Sequence, residues 1–421
     1  MKNKDLNITV MFPYPSGNGL HVGHFYNYAI IDSYCRYKRY LGYNVFQPFG
    51  YDSFGLPAEN YARLVGGDPK EITYQNIENF RKQMENMNTQ YEEILCTSND
   101  SYIKETQKIF KLLLNRGLAY KSKGIQDYCP KCETVLAREQ VKDGNCERHG
   151  TPIEKKELEQ WYFKITDYKD RLIKNLDFID YPEKTKKMQR AWLENLHDWC
   201  VSRQRKWGCQ IPIKGEEDTL DTFVDSSFYY IIYQLWKGSK PKQVDLYVGG
   251  SEHACMHLIY ARFICMVMYD AGLIDFEEPF KKVIHQGMIL KDGEKMSKSK
   301  GNIVSPDNYD PGHLRFYLMF IGHYFDGGSF NDDNFKGVPR FVNKIKIWLS
   351  KSGEEKINIE EFKQKIFQYT EDFKFNKVVS EWMILLNQNK NKSICKEQSK
   401  ELEDLLKIYI PNFSIEEKQT M

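Results

Sequence analysis

Apolar residues alternate with polar ones, or cluster, in a recurring order. Leu6 to Phe12 is a short β-rich run, Pro13 to Leu20 a Pro/Gly/Ser/Asn loop, and His21 to Leu41 carries Phe25, Tyr28, Ile31 and Cys35 at helical spacing. Tyr43 to Phe49 then reads as a second strand, so the chain opens as strand, glycine loop, helix, strand. Residues 76–118 read as helical, with a stop at Asn115-Arg116-Gly117. Asp245 to Val248 is a strand, followed by Gly249-Gly250 and a helix from about Glu252 to Ala271. Val283 to Leu290 is another strand. From Pro339 onward the pattern is helical and charged, with amphipathic segments at Phe341–Leu349, Phe375–Leu386 and Leu402–Ile410. Two strand–glycine–helix units far apart in the chain predict an α/β fold: a Rossmann-type parallel sheet, interrupted by an insertion and followed by a short helical bundle. Ligands of such sheets bind beyond the strand C-termini at the topological switch point.

Composition narrows the class. The 421 residues carry 60 Lys and Arg against 58 Asp and Glu, a net charge of +2, so nucleic-acid contact would rest on local patches. Such patches are Lys184, Lys186, Lys187 and Arg190; Arg203, Arg205 and Lys206; and Arg340, Lys344 and Lys346. No apolar run approaches the ~20 residues of a membrane helix, and no apolar region follows the charged N-terminus. A cytoplasmic protein without membrane association is expected. Ten cysteines in this length are too few for a disulfide scaffold, and clustered ones read first as metal ligands.

Three motifs carry chemistry. In Ser16-Gly17-Asn18-Gly19-Leu20-His21-Val22-Gly23-His24, the glycines allow close backbone approach, and the following helix offers free N–H groups to a phosphate. Two imidazoles three residues apart share one helical face and can donate to phosphate oxygens; alone they would equally be surface histidines capping a helix. Lys295-Met296-Ser297-Lys298-Ser299-Lys300-Gly301 is a cationic loop able to clamp a leaving pyrophosphate, or simply a solvated Lys/Ser loop. Cys129-x-x-Cys132 with Cys146-x-x-His149 gives four ligands at the spacing of a closed structural Zn²⁺ site, against unmetallated thiols as the bland reading.

Together and in this order, HVGH and KMSKS resemble the two signatures of class I aminoacyl-tRNA synthetases. Met11-Phe12-Pro13-Tyr14-Pro15-Ser16-Gly17, Gly50 to Asn60, Val201 to Gly208, Asp225 to Tyr230, Tyr247 to His253 and His285-Gln286-Gly287-Met288 are similar to the leucyl-tRNA synthetase family. The resemblance runs from about residue 8 to 348. It implies leucine, ATP with Mg²⁺ and a structural Zn²⁺. It implies roles in catalysis for His21, His24, Lys295 and Lys298. ATP would be held by Gly17, Gly19, His21, His24, Gly249, Gly250, Glu252, Met288, Ile289 and Lys298. Asp52 and the Phe12 carbonyl would meet the substrate ammonium, with Met11, Tyr14, Phe223, Tyr229, Tyr247, His253 and His257 around its side chain. The metal would sit on Cys129, Cys132, Cys146 and His149.

The resemblance divides the chain into the first Rossmann half (1–119), a zinc-binding insertion (120–157), a remnant of the connective insertion (158–205), the second Rossmann half (206–290), a KMSKS and stem-contact region (291–338) and a truncated helical bundle (339–421). It also exposes departures. Met188 to Trp192 is followed almost at once by His197 to Cys200, leaving only Leu193 to Leu196 where the family carries an editing domain. By the same resemblance, a bundle ending near Pro411 and the absence of the family's C-terminal tRNA-binding domain are expected. Asp310-Pro311-Gly312-His313 replaces the family's Ala-Asp before its helix. The expected reaction is leucyl-adenylate formation with transfer to an acceptor, the tRNA 3′ end first. A carrier-protein thiol or small amine, a catalytic subunit completed in trans and a non-catalytic RNA-binding paralogue are the alternatives. Intact HVGH, Asp52 and KMSKS speak against the last.

Overall fold

The structure is a computed structural model that describes residues 4–136, 141–147, 150–296, 301–351 and 353–416. The core is a parallel sheet of β1 (Asp5–Val10), β2 (Asn44–Phe46), β3 (Pro48–Tyr51), β4 (Glu92–Cys96), β5 (Leu246–Val248) and β6 (Val283–Ile284). Hydrogen bonding runs in the order β6-β5-β1-β2, and β3, one residue beyond β2, pairs with β4. Ile8 faces Leu246, Val10 faces Val248, and Tyr247 faces Val283, all in parallel register. β1 therefore has a partner from the first half of the chain on one side and from the second half on the other. That is the switch point at which a cavity opens beyond the strand C-termini.

Helices cover the sheet: α1 (Val22–Tyr40), α2 (Pro69–Asn86), α3 (Asp100–Asn115), α4 (Glu183–Glu194), α5 (His257–Asp270), α6 (Pro311–Phe320), α7 (Gly337–Leu349), α8 (Glu360–Glu371), α9 (Phe375–Asn389) and α10 (Lys396–Lys407). α1 is buried along most of its length because it lies between the sheet and α6. Arg315 of α6 is fully buried and donates to Asp32 Oδ2 (2.8 Å), Ser33 Oγ (2.8 Å) and the Ala29, Met87 and Tyr409 carbonyls. One guanidinium thus ties α1, the end of α2 and the C-terminal bundle together. The bundle α7–α10 buries Trp348 and Trp382.

Residues 76–118 are not one helical stretch. α2 ends at Asn86, Asn88 turns with φ 51°, and Glu92–Cys96 joins the sheet before α3. Sheet pairing with β3 overrides the helical tendency of that segment. The helix expected from Glu252 is broken as well: Ser251–His253 is a 3₁₀ turn, Met256 lies at φ −124°, ψ −95°, and α5 starts at His257. The strand expected over Val283–Leu290 splits, because the Gly287 N–H bonds the Tyr324 carbonyl (2.8 Å). Met288–Lys291 then joins a separate sheet with Gly327–Phe330.

Between the sheet halves, Ala119–Cys129 and Glu154–Phe163 form a long antiparallel ribbon. After α4 the chain turns back within a few residues, and Trp199–Cys200 pairs with Phe163 and Tyr162. Among the described residues no helix is long and apolar enough to cross a membrane.

Candidate active site at the switch point

A cavity of about 790 Å³ lies where β1 and β5 end. Its walls come from Met11–Tyr14 after β1, His21 to Tyr28 at the start of α1, Gly249–His253 after β5, and Ile284–Ile289 after β6. Met11 presses so closely on the turn after β5 that a Cβ on Gly249 would stand 1.9 Å from its sulfur. Only glycine fits there.

The inner end is buried and polar in a particular way. Asp52 is 2% exposed and accepts a hydrogen bond from the Thr222 hydroxyl (2.7 Å). Burial pushes its carboxyl up to about 8; the Thr222 bond works against this and the charge of Asp221 adds to it. Nearby, the Tyr229 and Tyr247 hydroxyls lie 2.6 Å apart, and the Tyr247 hydroxyl lies 2.5 Å from His257 Nε2. Burial also lowers the imidazoles of His253 and His285, and lowers His257 to about 3, so all three are neutral near pH 7. The result is an uncharged aromatic and imidazole pocket beside one carboxyl group, suited to an apolar side chain with an ammonium at its base.

The outer end carries imidazoles and a lysine. His21 caps α1: its Nδ1 accepts from the Gly23 N–H (3.0 Å), while His24 Nδ1 accepts from the His21 N–H (3.1 Å). With both Nδ1 atoms accepting, both rings carry their proton on Nε2. A Cβ on Gly23 would sit 2.8 Å from the His21 ring, so this cap needs glycine. The Val22 N–H bonds the Val304 carbonyl (3.0 Å) and the His24 N–H bonds the His21 carbonyl (2.9 Å). The free first-turn amides expected from the sequence are therefore already engaged, and donors for a phosphate come from imidazole rather than from backbone. Lys295 reaches the cavity from a hairpin, Met288–Lys291 with Glu294–Lys295, turned by Asp292 (φ 55°) and Gly293 (φ 79°). An Asp-Gly pair with both φ positive is the preferred two-residue hairpin turn.

Of the expected site residues, Met11, Phe12, Tyr14, His21, His24, Asp52, Tyr247, Gly249, Gly250, Glu252, His253, His257, Met288, Ile289 and Lys295 line this one cavity. Tyr229 sits behind the wall, its ring 4.1 Å from that of Phe12. Phe223 packs edge-on to His253 (6.4 Å) without lining the cavity, and Gly17 and Gly19 shape the loop before α1 rather than the cavity itself. Lys298 and His149 lie outside the described residues. Sequence reasoning missed Asn27, Thr185, Met188, Phe325 and Asp326 as wall residues. Apart from Met188, which opens the matched stretch Met188–Trp192, none belongs to a recognisable motif, and only the tertiary fold brings them in.

The thiols of Cys129, Cys132 and Cys146 are buried, with their sulfurs all within 4.8 Å of one another, at the tip of the ribbon. Burial, with the adjoining thiols, raises Cys132 to about 12. Burial also opposes the Cys129 thiolate, but hydrogen bonds led by the Cys132 amide bring Cys129 below the ordinary thiol value. Three buried sulfurs this close fit a tetrahedral cation that takes them as thiolates.

A split parallel sheet with a cavity at its switch point, paired imidazoles and a lysine hairpin defines a nucleotide-binding type of α/β core. The family described as tRNA synthetases class I (M) matches residues 6–346, and the chain belongs to it. Relatives within the family include leucine–tRNA ligases. The Clostridium kluyveri enzyme is 32% identical over 82% of this chain and 74% of its own length. The Clostridium tetani enzyme is 29% identical over 99% and 86%. Two solved structures share the fold. One is the Agrobacterium radiobacter K84 agnB2 LeuRS in complex with tRNA and LeuAMS (TM-score 0.87, 23% identity, 98% of this chain and 84% of that one). The other is the Mycobacterium tuberculosis methionyl-tRNA synthetase in complex with methionyl-adenylate (0.77, 19%, 97% and 92%).

Proposed function

We propose that this protein condenses leucine with ATP to leucyl-adenylate and transfers the leucyl group to the 3′ end of a tRNA. The observation that carries the reading is one cavity with a buried carboxyl beside a neutral aromatic pocket at its inner end and imidazole and lysine donors at its outer end. Asp52 takes the α-ammonium, and Met11, Tyr14, Tyr247, His253 and His257 surround the side chain. Tyr229 and Phe223 support that wall from behind. A leucine carboxylate oxygen attacks the α-phosphorus, and the α–β bridging bond breaks to release pyrophosphate. The nucleophile is already ionised, so no general base is needed. His21 and His24 donate from Nε2 to the oxygens where charge grows, and Lys295, with Lys298, neutralises the departing pyrophosphate. Glu252, whose carboxylate lies over Gly250, faces the ribose, and the Met288–Ile289 backbone faces adenine. Mg²⁺ accompanies ATP and adds charge neutralisation.

Cys129, Cys132 and Cys146, with His149, would hold a structural Zn²⁺ that stiffens the ribbon tip. A metal assay should return one zinc per chain, and Cys129→Ser should lose it while destabilising residues 120–155. A metal-free native protein overturns that assignment.

The comparison with the C. kluyveri enzyme supports the missing editing domain. Its alignment spans 597 positions, more than 82% of 421 residues can fill, so the relative carries a long segment without counterpart here. We place that segment at Leu193–Leu196, between α4 and Trp199. A single site separates side chains differing by one methylene by only about 1–3 kcal/mol, so norvaline should be activated measurably.

The test is amino-acid-dependent ATP–pyrophosphate exchange without tRNA, followed by charging of tRNA and of carrier proteins. Exchange with leucine and leucylation of tRNA are expected. Exchange confined to an unrelated amino acid refutes the substrate, and leucylation of a carrier protein alone refutes the acceptor.

A further inference from the structure

The histidine pair at the start of α1 and the Lys295 hairpin with the segment 301–308 that follows belong to parts of the chain far apart in sequence. A side chain on a third element joins them. Gln83 of α2 is 6% exposed and does not line the cavity. Its Oε1 accepts the Leu20 N–H (2.7 Å), and its Nε2 donates to Asp307 Oδ2 (2.7 Å). Asp307 is held in turn by the Ser305 hydroxyl (3.0 Å). Both ends of one buried amide are thus spent on bridging residue 20, next to His21, to residue 307, just past the lysine loop.

The surroundings reinforce the bridge. Asn76, Asn79 and Gln83 lie on one face of α2 and all hold the Pro15–Leu20 loop. Asn76 donates to the Pro15 carbonyl (2.9 Å) and Asn79 to Asn18 Oδ1 (2.8 Å). Among these three, Gln83 alone also reaches the far segment. The Val22–Val304 backbone bond runs parallel to it, and Met296, 5% exposed, abuts Gly23.

We infer that Gln83 is a positioning residue that sets the separation between the histidine pair and segment 301–308, which Asn302 ties to the Lys295 carbonyl (3.3 Å). The inference rests on the reading of the cavity as an adenylate-forming site. Transfer at phosphorus needs donors on both sides of the reacting group at once, and a misplacement of about 1 Å can cost roughly a hundredfold. Gln83 touches no substrate; its effect passes through the Leu20 amide and the Asp307 carboxylate.

The polarity of the bridge gives a test. Gln83→Glu keeps an acceptor for Leu20 but sets a carboxylate against Asp307. Adding Asp307→Asn restores a donor–acceptor pair in the opposite sense. Asp307→Asn alone keeps an acceptor and should be nearly silent. In leucine-dependent pyrophosphate exchange, Gln83→Glu should lower kcat at least tenfold with the leucine KM within about threefold, and the double variant should recover most of the loss. A variant that only destabilises the fold, lowering Tm but not kcat, overturns the inference. If Gln83→Glu does not fold, Gln83→Met, which removes both bonds at similar volume, is read the same way.

Hydrogen–deuterium exchange on the same proteins separates this inference from the functional reading. Residues 17–24 and 301–308 should lose protection together in Gln83→Glu and regain it together in the double variant. Independent responses overturn the coupling even in an active enzyme. Joint responses in a chain that activates no amino acid uphold the coupling while the functional reading falls.

Discussion

The two ends of the cavity are built by opposite strategies. At the inner end the key polar atoms are buried and held by residues outside their own turn or loop: Asp52 by Thr222, Tyr247 by Tyr229 and His257. At the outer end the groups hold one another locally: His21 and His24 form a reciprocal cap three residues long, and Lys295 stands on a hairpin of its own. Rigid burial suits recognition of a small apolar substrate. Exposed donors on short local motifs suit charge that appears only during reaction.

The sharpest way to break this comparison is Asp52→Asn. Loss of a buried charge partner costs about 2–5 kcal/mol, so the leucine KM in pyrophosphate exchange should rise at least about 30-fold while the ATP KM stays within about threefold. A comparable rise in the ATP KM would show that the two ends are not separate. His24→Ala should do the reverse, lowering kcat by about 10²–10³-fold with little change in the leucine KM.

The pH dependence is next in size. Asp52 must give up its proton to receive an ammonium, and its value near 8 lies above the ordinary 3.8. Apparent leucine affinity should therefore weaken about tenfold per pH unit below about 8, and Asp52→Asn should flatten that slope. The stability effect has a fixed sign: the folded chain holds this proton more tightly than the unfolded chain. The contribution is full below about 4 and is lost as pH rises toward 8, so Asp52→Asn should gain stability relative to the parent across that window, measured by urea unfolding. The smallest effect is expected from Tyr247→Phe, which removes the hydroxyl between Tyr229 and His257 at about 1–1.5 kcal/mol. A several-fold rise in the leucine KM and a lower urea midpoint would show it.

The same contrast explains what could be read before the fold was known. The His21–His24 pair is a signal within a few residues, and the structure places it at the cavity as the pattern implies. β1, α1 and β5 follow from the hydrophobic pattern in the same way. The Asp52–Thr222 contact spans 170 positions, and no local pattern announces it. The wall residues Asn27, Phe325 and Asp326 and the Gln83 bridge are equally silent. Residues 76–118 read as helix because Glu92–Cys96 becomes a strand only by meeting β3. Tyr229 was expected in the wall and stands one layer behind, because Phe12 stacks over it.

A helix that closes its own cap has a further consequence. Bare helix ends attract small anions indiscriminately, since unpaired amides greet any phosphate or sulfate. Here those amides are committed to His21 and Val304. Inorganic phosphate in solution meets imidazole and lysine side chains rather than an open nest of amides, which is a poorer anchorage. Occupancy then falls to the molecule that fills both ends of the cavity at once, and the enzyme is spared competition from the most abundant anions around it.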